Sequence, residues 1–420
     1  MSIIQRINCA IILITAMPNS IVFSANYDEE KVPAYKLQDP LKMKNGTPVK
    51  TTKEWKKNRR PEILNLFREH IYGHSKKKPS GLKFKVIQND PNALGGNAIR
   101  REVLITFALK EETPEVNLLI YLPKNTEGPH PAFLTTNFYG NHTINPDPGI
   151  SITRSWVRNE KKWDINNNKA NEKSRGVRQS RWPVETILKR GYALATIYYG
   201  DIDPDFDDGF SNGVHRLYNK PKSNEWGSIA TWAWGLSRCL DYLETDNDIN
   251  AKKVSVMGHS RLGKTALWAG AEDERFALII SNNSGCGGAA LSRREFGETV
   301  RRINTSFPHW FCDNFNNYNN HVNNLPVDQH MLIALAAPRP IYIASATEDK
   351  WADPKGEFLS GLHASPVYEL FNLKGIISSQ QPKPDHSVGQ YIGYHLRTGN
   401  HDVTNFDWEQ YLNFADRHLK

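Results

Sequence analysis

From Glu225 onward, runs of strand length alternate with runs that repeat their apolar residues at helical intervals. Residues 226–243 carry a helical apolar pattern, 254–257 read as a short buried strand, 262–271 as a helix, and 276–280 and 340–346 as strands. A final helix is expected over 405–418, because Thr404 followed by Asp407 three positions on forms a capping box. Strands that alternate with helices must be joined by crossovers, which requires a largely parallel sheet with helices on both faces. The ligand site of such a fold lies at the carboxyl ends of the strands.

Upstream, four β-rich runs occupy 98–108, 116–122, 131–137 and 192–199. Arg60-Pro61-Glu62 starts a helix running to about residue 71, with Pro61 suited to a first turn, and the polar stretch 28–58 is expected to wrap the surface. Residues 141–179 form a long polar segment, and a loop of that length in a compact domain is functional or disordered. No internal repeat and no linker rich in Pro, Gly or Ser divides the chain. Residues 26–420 are therefore expected to be one catalytic domain with an insertion around 141–179.

The formal charge of +8 arises from 53 Lys and Arg against 45 Asp and Glu, spread without a long basic block. That argues against a nucleic-acid module, which would cluster its cations. At the N-terminus, one positive charge precedes the apolar run 7–17, with small residues at Ser24 and Ala25. This is the pattern of a secretory signal peptide over 1–25, and the run is too short to span a bilayer. A secreted or periplasmic protein is expected. Export leaves Cys239, Cys286 and Cys312 as either one disulfide, with Cys286 and Cys312 as the pair, or three buried thiols.

The chemical signal lies between the strand at 254–257 and the helix that follows, in Gly258-His259-Ser260-Arg261-Leu262-Gly263-Lys264. A nucleophilic serine needs a sharp strand-to-helix turn, and Gly258 and Gly263 are small enough to let the backbones approach. Ser260 is the candidate nucleophile. Its base must be held in one tautomer by an acid, in the chain order Ser, acid, His. Glu348, Asp349 and Asp353 compete just past the strand ending at residue 346, with Asp349 preferred for lying near the strand end but clear of the turn at Asp353-Pro354. His401, in a turn before the last helix, is the candidate base, against His386 and the apolar-flanked His395.

Together with Ser284-Gly285-Cys286-Gly287-Gly288, Leu325-Pro326-Val327-Asp328-Gln329-His330, Trp351-Ala352-Asp353-Pro354 and Gly399-Asn400-His401-Asp402, this segment resembles the glucuronoyl esterases, carbohydrate esterase family 15. The similarity extends to Asn137–His142 and Arg181-Trp182-Pro183-Val184-Glu185, nearly the whole chain after the leader. It implies an α/β-hydrolase fold, a three-layer sandwich around the parallel sheet. It also implies cleavage of the ester between 4-O-methyl-glucuronic acid of glucuronoxylan and lignin alcohols, by a monomer with no metal, organic cofactor or membrane. By position, the resemblance makes Ser260 the nucleophile, His401 the base and Arg261 an oxyanion stabiliser, and assigns Lys264, Glu298 and Trp351 to the uronic acid ring. Many members carry a catalytic Glu where this chain has Asn283; others use an Asp matching Asp349. A xylan acetyl esterase on the same scaffold and a non-catalytic glucuronoxylan-binding protein are the alternatives, and a peptidase of similar fold is disfavoured by the lack of propeller-like repeats.

Overall fold

The computed structural model describes residues 25–107 and 114–420; the leader read over 1–25 thus lies, up to residue 24, outside the described residues. Ten strands form one sheet: β1 (Lys83–Asn92), β2 (Ala98–Thr106), β3 (Glu115–Pro123), β4 (His130–Asn137), β5 (Ala193–Tyr198), β6 (Ile249–His259), β7 (Leu278–Asn282), β8 (Ile341–Ala346), β9 (His386–Val388) and β10 (Ile392–Arg397). Their spatial order is β1-β2-β3-β5-β4-β6-β7-β8-β10-β9. The six central strands from β5 to β10 run parallel, while β1, β2, β3 and β9 pair antiparallel at the two margins.

Strand alternation sorts the apolar residues into two cores, one on each face. On β3, Leu118, Ile120 and Leu122 enter one core and Leu119 and Tyr121 the other. The larger core receives the helices Ser228–Leu243, Arg261–Glu272 and Pro354–Glu369, and the smaller one Val184–Lys189 and Asn405–Leu419. Three layers result, as the alternation of elements requires. Every residue of the Ser228–Leu243 helix is buried, and its first turn is tied to the segment that follows Ser306, Ser228 and Ile229 N–H groups donating to the carbonyls of His309 and Trp310.

Several boundaries differ from expectation. The strand expected at 254–257 extends over Ile249–His259, since Ile249 already pairs with His130 on β4 and pairing resumes at Val254 after a register shift across 250–253. The strand expected at 276–280 is displaced to Leu278–Asn282, as Phe276 closes the preceding turn on Asp273. The expected helix at 60–71 is α-helical only over Arg60–Phe67, with π-helical turns on either side. Of the two alternatives for the cysteines the structure holds the second: Cys239, Cys286 and Cys312 are free, buried thiols, with no Cys286–Cys312 bridge. Cys286 follows β7 and feels the charges of Glu298 and Lys264, whereas the Cys312 sulfur packs against the Glu69 carbonyl, so nearness to the site does not bring the two sulfurs together. Among the described residues, no helix is long and apolar enough to cross a membrane.

Candidate active site

Ser260 joins β6 to the Arg261–Glu272 helix with φ 59° and ψ −130°, a backbone conformation rare for a residue with a side chain. Its N–H donates to Asn282 O at 2.8 Å, and its carbonyl accepts from Gly263 and Lys264. The turn is closed so tightly that a Cβ at Gly258 would lie 1.8 Å from Leu262 O, and one at Gly263 only 3.0 Å from Ser284 Cβ. Close approach thus requires glycine at 258 and leaves little room for a larger residue at 263. His259 beside the serine is buried and tied through Nδ1 to Asn282 Oδ1 at 2.5 Å, and burial holds its imidazole well below the usual value.

The parallel strands end at one edge of the sheet, which brings together residues far apart in sequence. Asp349, three residues past β8, accepts His401 Nδ1–H on Oδ2 at 2.6 Å, and Asn283 Nδ2–H on the same oxygen at 2.7 Å. That leaves His401 Nε2 as the free nitrogen of a ring that lines the same cavity as Ser260. Burial works against the charged form of Asp349, but the bond and charge of His401, with the Asn283 amide, outweigh it and hold the carboxyl below its ordinary value. The competing acids lie elsewhere. Glu348 is exposed, and Asp353 caps the Pro354–Glu369 helix through Gly356 N–H while pairing with buried Arg294. His395 is fully buried between Tyr342 and Asp407, and His386 is exposed on β9.

Arg261 is fixed by a carboxylate that sequence reading missed. Its Nη1 donates to Asp205 Oδ2, which also accepts the Tyr199 hydroxyl at 3.0 Å, while Oδ1 of Asp205 accepts His309 Nε2 at 3.0 Å and Trp310 Nε1 at 2.8 Å. Burial alone would raise the Asp205 carboxyl, yet the charge of Arg261 and these donors bring it well below the usual carboxylate range. The guanidinium lies 4.8 Å from the Trp310 ring centre and between Phe138 and Phe307. Its buried Nε has no partner.

Lys264, one turn beyond Ser260, is buried; its Nζ donates to Ser284 O at 2.5 Å and stands 3.8 Å from Glu298 Oε2. Burial raises the Glu298 carboxyl against the pull of Lys264 and a hydrogen bond from Trp351. Trp351 itself is 39% exposed, an aromatic left on the surface next to buried charges. The three residues assigned to the sugar therefore do form one group, on the β7–β8 side of Ser260. On the other side a cavity of about 150 Å³ is lined by Phe138, Tyr139, Tyr199, His259 and the arginines 158, 178, 181 and 261, as well as Ser260 and His401. Two of these arginines belong to the polar 141–179 segment, which is built of short 3₁₀ turns and pinned by Gly176 and Arg178 N–H groups to the carbonyls of His142 and Thr143.

A second acid also escaped sequence reading. Glu357 is fully buried behind the turn after β7, where its Oε1 accepts the N–H groups of Ser284 and Gly285 and its Oε2 lies 2.6 Å from Ser345 Oγ. Burial pushes its carboxyl up to about 8.

The family model for fungal glucuronyl esterases matches residues 184–372. A carbohydrate esterase of an unknown prokaryotic organism is 56% identical over 402 residues, covering 94% of this chain and 92% of that protein. A 4-O-methyl-glucuronoyl methylesterase of Wolfiporia cocos is 36% identical over 220 residues, half of each chain. Among solved structures, a promiscuous family 15 carbohydrate esterase from a marine bacterial metagenome superposes with a TM-score of 0.89 at 55% identity, covering 94% of this chain and all of that one. With more than half of its residues identical to these family 15 esterases across nearly its whole length, the chain belongs to carbohydrate esterase family 15, the glucuronoyl esterases.

Proposed function

We propose that the chain hydrolyses the ester linking 4-O-methyl-glucuronic acid of glucuronoxylan to lignin alcohols, through an acyl-enzyme on Ser260. The observation that carries this reading is the 2.6 Å bond from His401 Nδ1 to the buried carboxylate of Asp349, at the cavity that Ser260 shares. His401 Nε2 takes the Ser260 hydroxyl proton as Oγ attacks the ester carbonyl. Asp349 stabilises the imidazolium without itself taking the proton. The oxyanion that forms meets the Arg261 N–H, which follows the nucleophile at the start of a helix, with the guanidinium adding a permanent charge. Collapse breaks the ester C–O bond, and His401 returns the proton to the departing alcohol. Water then attacks the acyl-enzyme with the same proton transfers in reverse order, releasing the uronate and free Ser260. The leader pattern at 1–25 supports export, as a substrate in plant cell wall would require.

The test is hydrolysis of benzyl glucuronate beside its galacturonate epimer by the wild type and by Ser260→Ala. Triad knockouts cost on the order of 10⁴ to 10⁶ in rate, so the alanine variant is expected to fall to background with the fold intact by circular dichroism. A variant retaining more than a few per cent of the rate would move the nucleophile elsewhere. The structural neighbour described as promiscuous favours a second reading, acetyl ester cleavage on the same triad, which an acetylated xylan substrate would expose.

A further inference from the structure

The cavity beside Ser260 has four arginines and two histidines in its lining and not one carboxylate. Arg261 is matched by Asp205 and Arg181 by Asp402. Arg158 and Arg178 have no carboxylate within ion-pair distance among the described residues, and Glu160 and Asp402 act on Arg178 only over longer range. Arg178 is nevertheless held in place: its guanidinium lies 5.2 Å over the Trp163 ring, which packs edge-on against Tyr139 at 4.8 Å. A cation fixed at a cleft without a carboxylate in direct contact is a recognition element for an anion.

The esterified uronic acid cannot be that anion, because its carboxyl is neutral. Nor does the transient oxyanion account for the surplus, since Arg261 already faces it. Sheet order separates the two ends of the substrate. Lys264, Glu298 and Trp351 group on the flank of β7 and β8, whereas Phe138 and Tyr139 follow β4 and Tyr199 follows β5 on the opposite side of β6. With the sugar on the first flank, the alcohol departs along the second. We infer that the β4–β5 flank is a subsite for an aromatic alcohol bearing a carboxylate, with Phe138 and Tyr139 against its ring and Arg158 and Arg178 on its charge. This rests on the esterase reading above.

Three esters of glucuronic acid test it: benzyl, 4-carboxybenzyl and 4-(aminomethyl)benzyl, with the wild type, the double variant Arg158→Gln/Arg178→Gln and its Arg→Lys counterpart. The wild type should prefer the carboxybenzyl ester over the benzyl ester by about fivefold in kcat/KM at low salt and discriminate against the amine. The preference should shrink at high salt, vanish in the glutamine variant and survive in part in the lysine variant. Equal rates on all three esters, or a preference that persists without the arginines, would overturn the subsite while leaving the esterase reading intact. Inhibition by free glucuronate that disappears in the glutamine variant would assign the arginines to the acyl product and overturn it too. Failure of the wild type on every ester would remove the esterase reading and the subsite together.

Discussion

One oxygen, Asp349 Oδ2, accepts both His401 Nδ1–H and Asn283 Nδ2–H, so a neutral amide steadies the candidate acid. Asp349→Asn should lower kcat by about 10⁴, because an amide can neither fix the tautomer nor stabilise the imidazolium. Asn283→Ala removes one hydrogen bond and no charge, for a loss of tenfold or less, about 1.4 kcal/mol. Steady-state rates of the two variants check the assignment, and a reversed ranking would remove Asp349 from the acid role. Asp205 holds the Arg261 guanidinium. Asp205→Asn removes the counter-charge and one of the acceptors that fix the guanidinium, so kcat should fall about 10- to 100-fold with KM little changed. A raised KM at constant kcat would mean that Arg261 only binds ground-state substrate. Ser260 could be read from its local turn, and Asp349 and His401 from chain order. Asp205 could not, because its donors come from positions 199, 261, 309 and 310 and meet only in space.

The Pro354–Glu369 helix was invisible in the sequence because Pro354 and Pro366 break the pattern that announces a helix. Pro354 instead fits the first turn, Asp353 in a left-handed conformation caps it, and Arg294 neutralises the cap. What this helix delivers is Glu357, whose Oε1 gathers the two N–H groups of the turn that carries Asn283 toward Asp349. Burial raises the folded-state value of this carboxyl to about 8, above its ordinary 4.5. A raised folded-state value contributes stability that is fully present below pH 4.5 and is lost as pH rises toward 8. Glu357→Gln mimics the protonated acid, with one acceptor oxygen for the backbone donors and an N–H for Ser345. Its unfolding temperature should therefore gain on wild type progressively between those two pH values and level off above, with a limit of about 5 kcal/mol. A difference that stays flat across that window would show Glu357 to be ionised throughout.

At the scale of the whole molecule, the alternation of strands and helices after residue 225 was enough to imply the parallel sheet, and a parallel sheet was enough to put Ser260, Asp349 and His401 at one edge. Lateral strand order was not legible, since periodicity reports which face a residue occupies and not which strand is its neighbour; the antiparallel margins β1 and β9 went unread because both are largely exposed and polar, and β9 is only three residues long. Yet lateral order decides how the site divides, because β7 and β8 on one side of β6 gather the buried pair Lys264 and Glu298 with exposed Trp351, and β4 and β5 on the other hold the arginine-lined cavity. An esterified uronic acid offers Lys264 and Glu298 no charge to pair with, only hydroxyls to hydrogen-bond. A site built on such contacts rejects analogues lacking them, since its buried polar groups are left unpaired. Lys264→Met and Glu298→Gln should accordingly reduce kcat/KM on benzyl glucuronate by about 10²-fold or more, and on an aryl acetate, which has no sugar hydroxyls, by far less. The ratio between the two substrates is the measurement, because it cancels any general damage from losing the Lys264 bond to Ser284 O. Equal proportional losses on both would make the pair a support of the serine turn and would favour acetyl ester cleavage over uronate recognition.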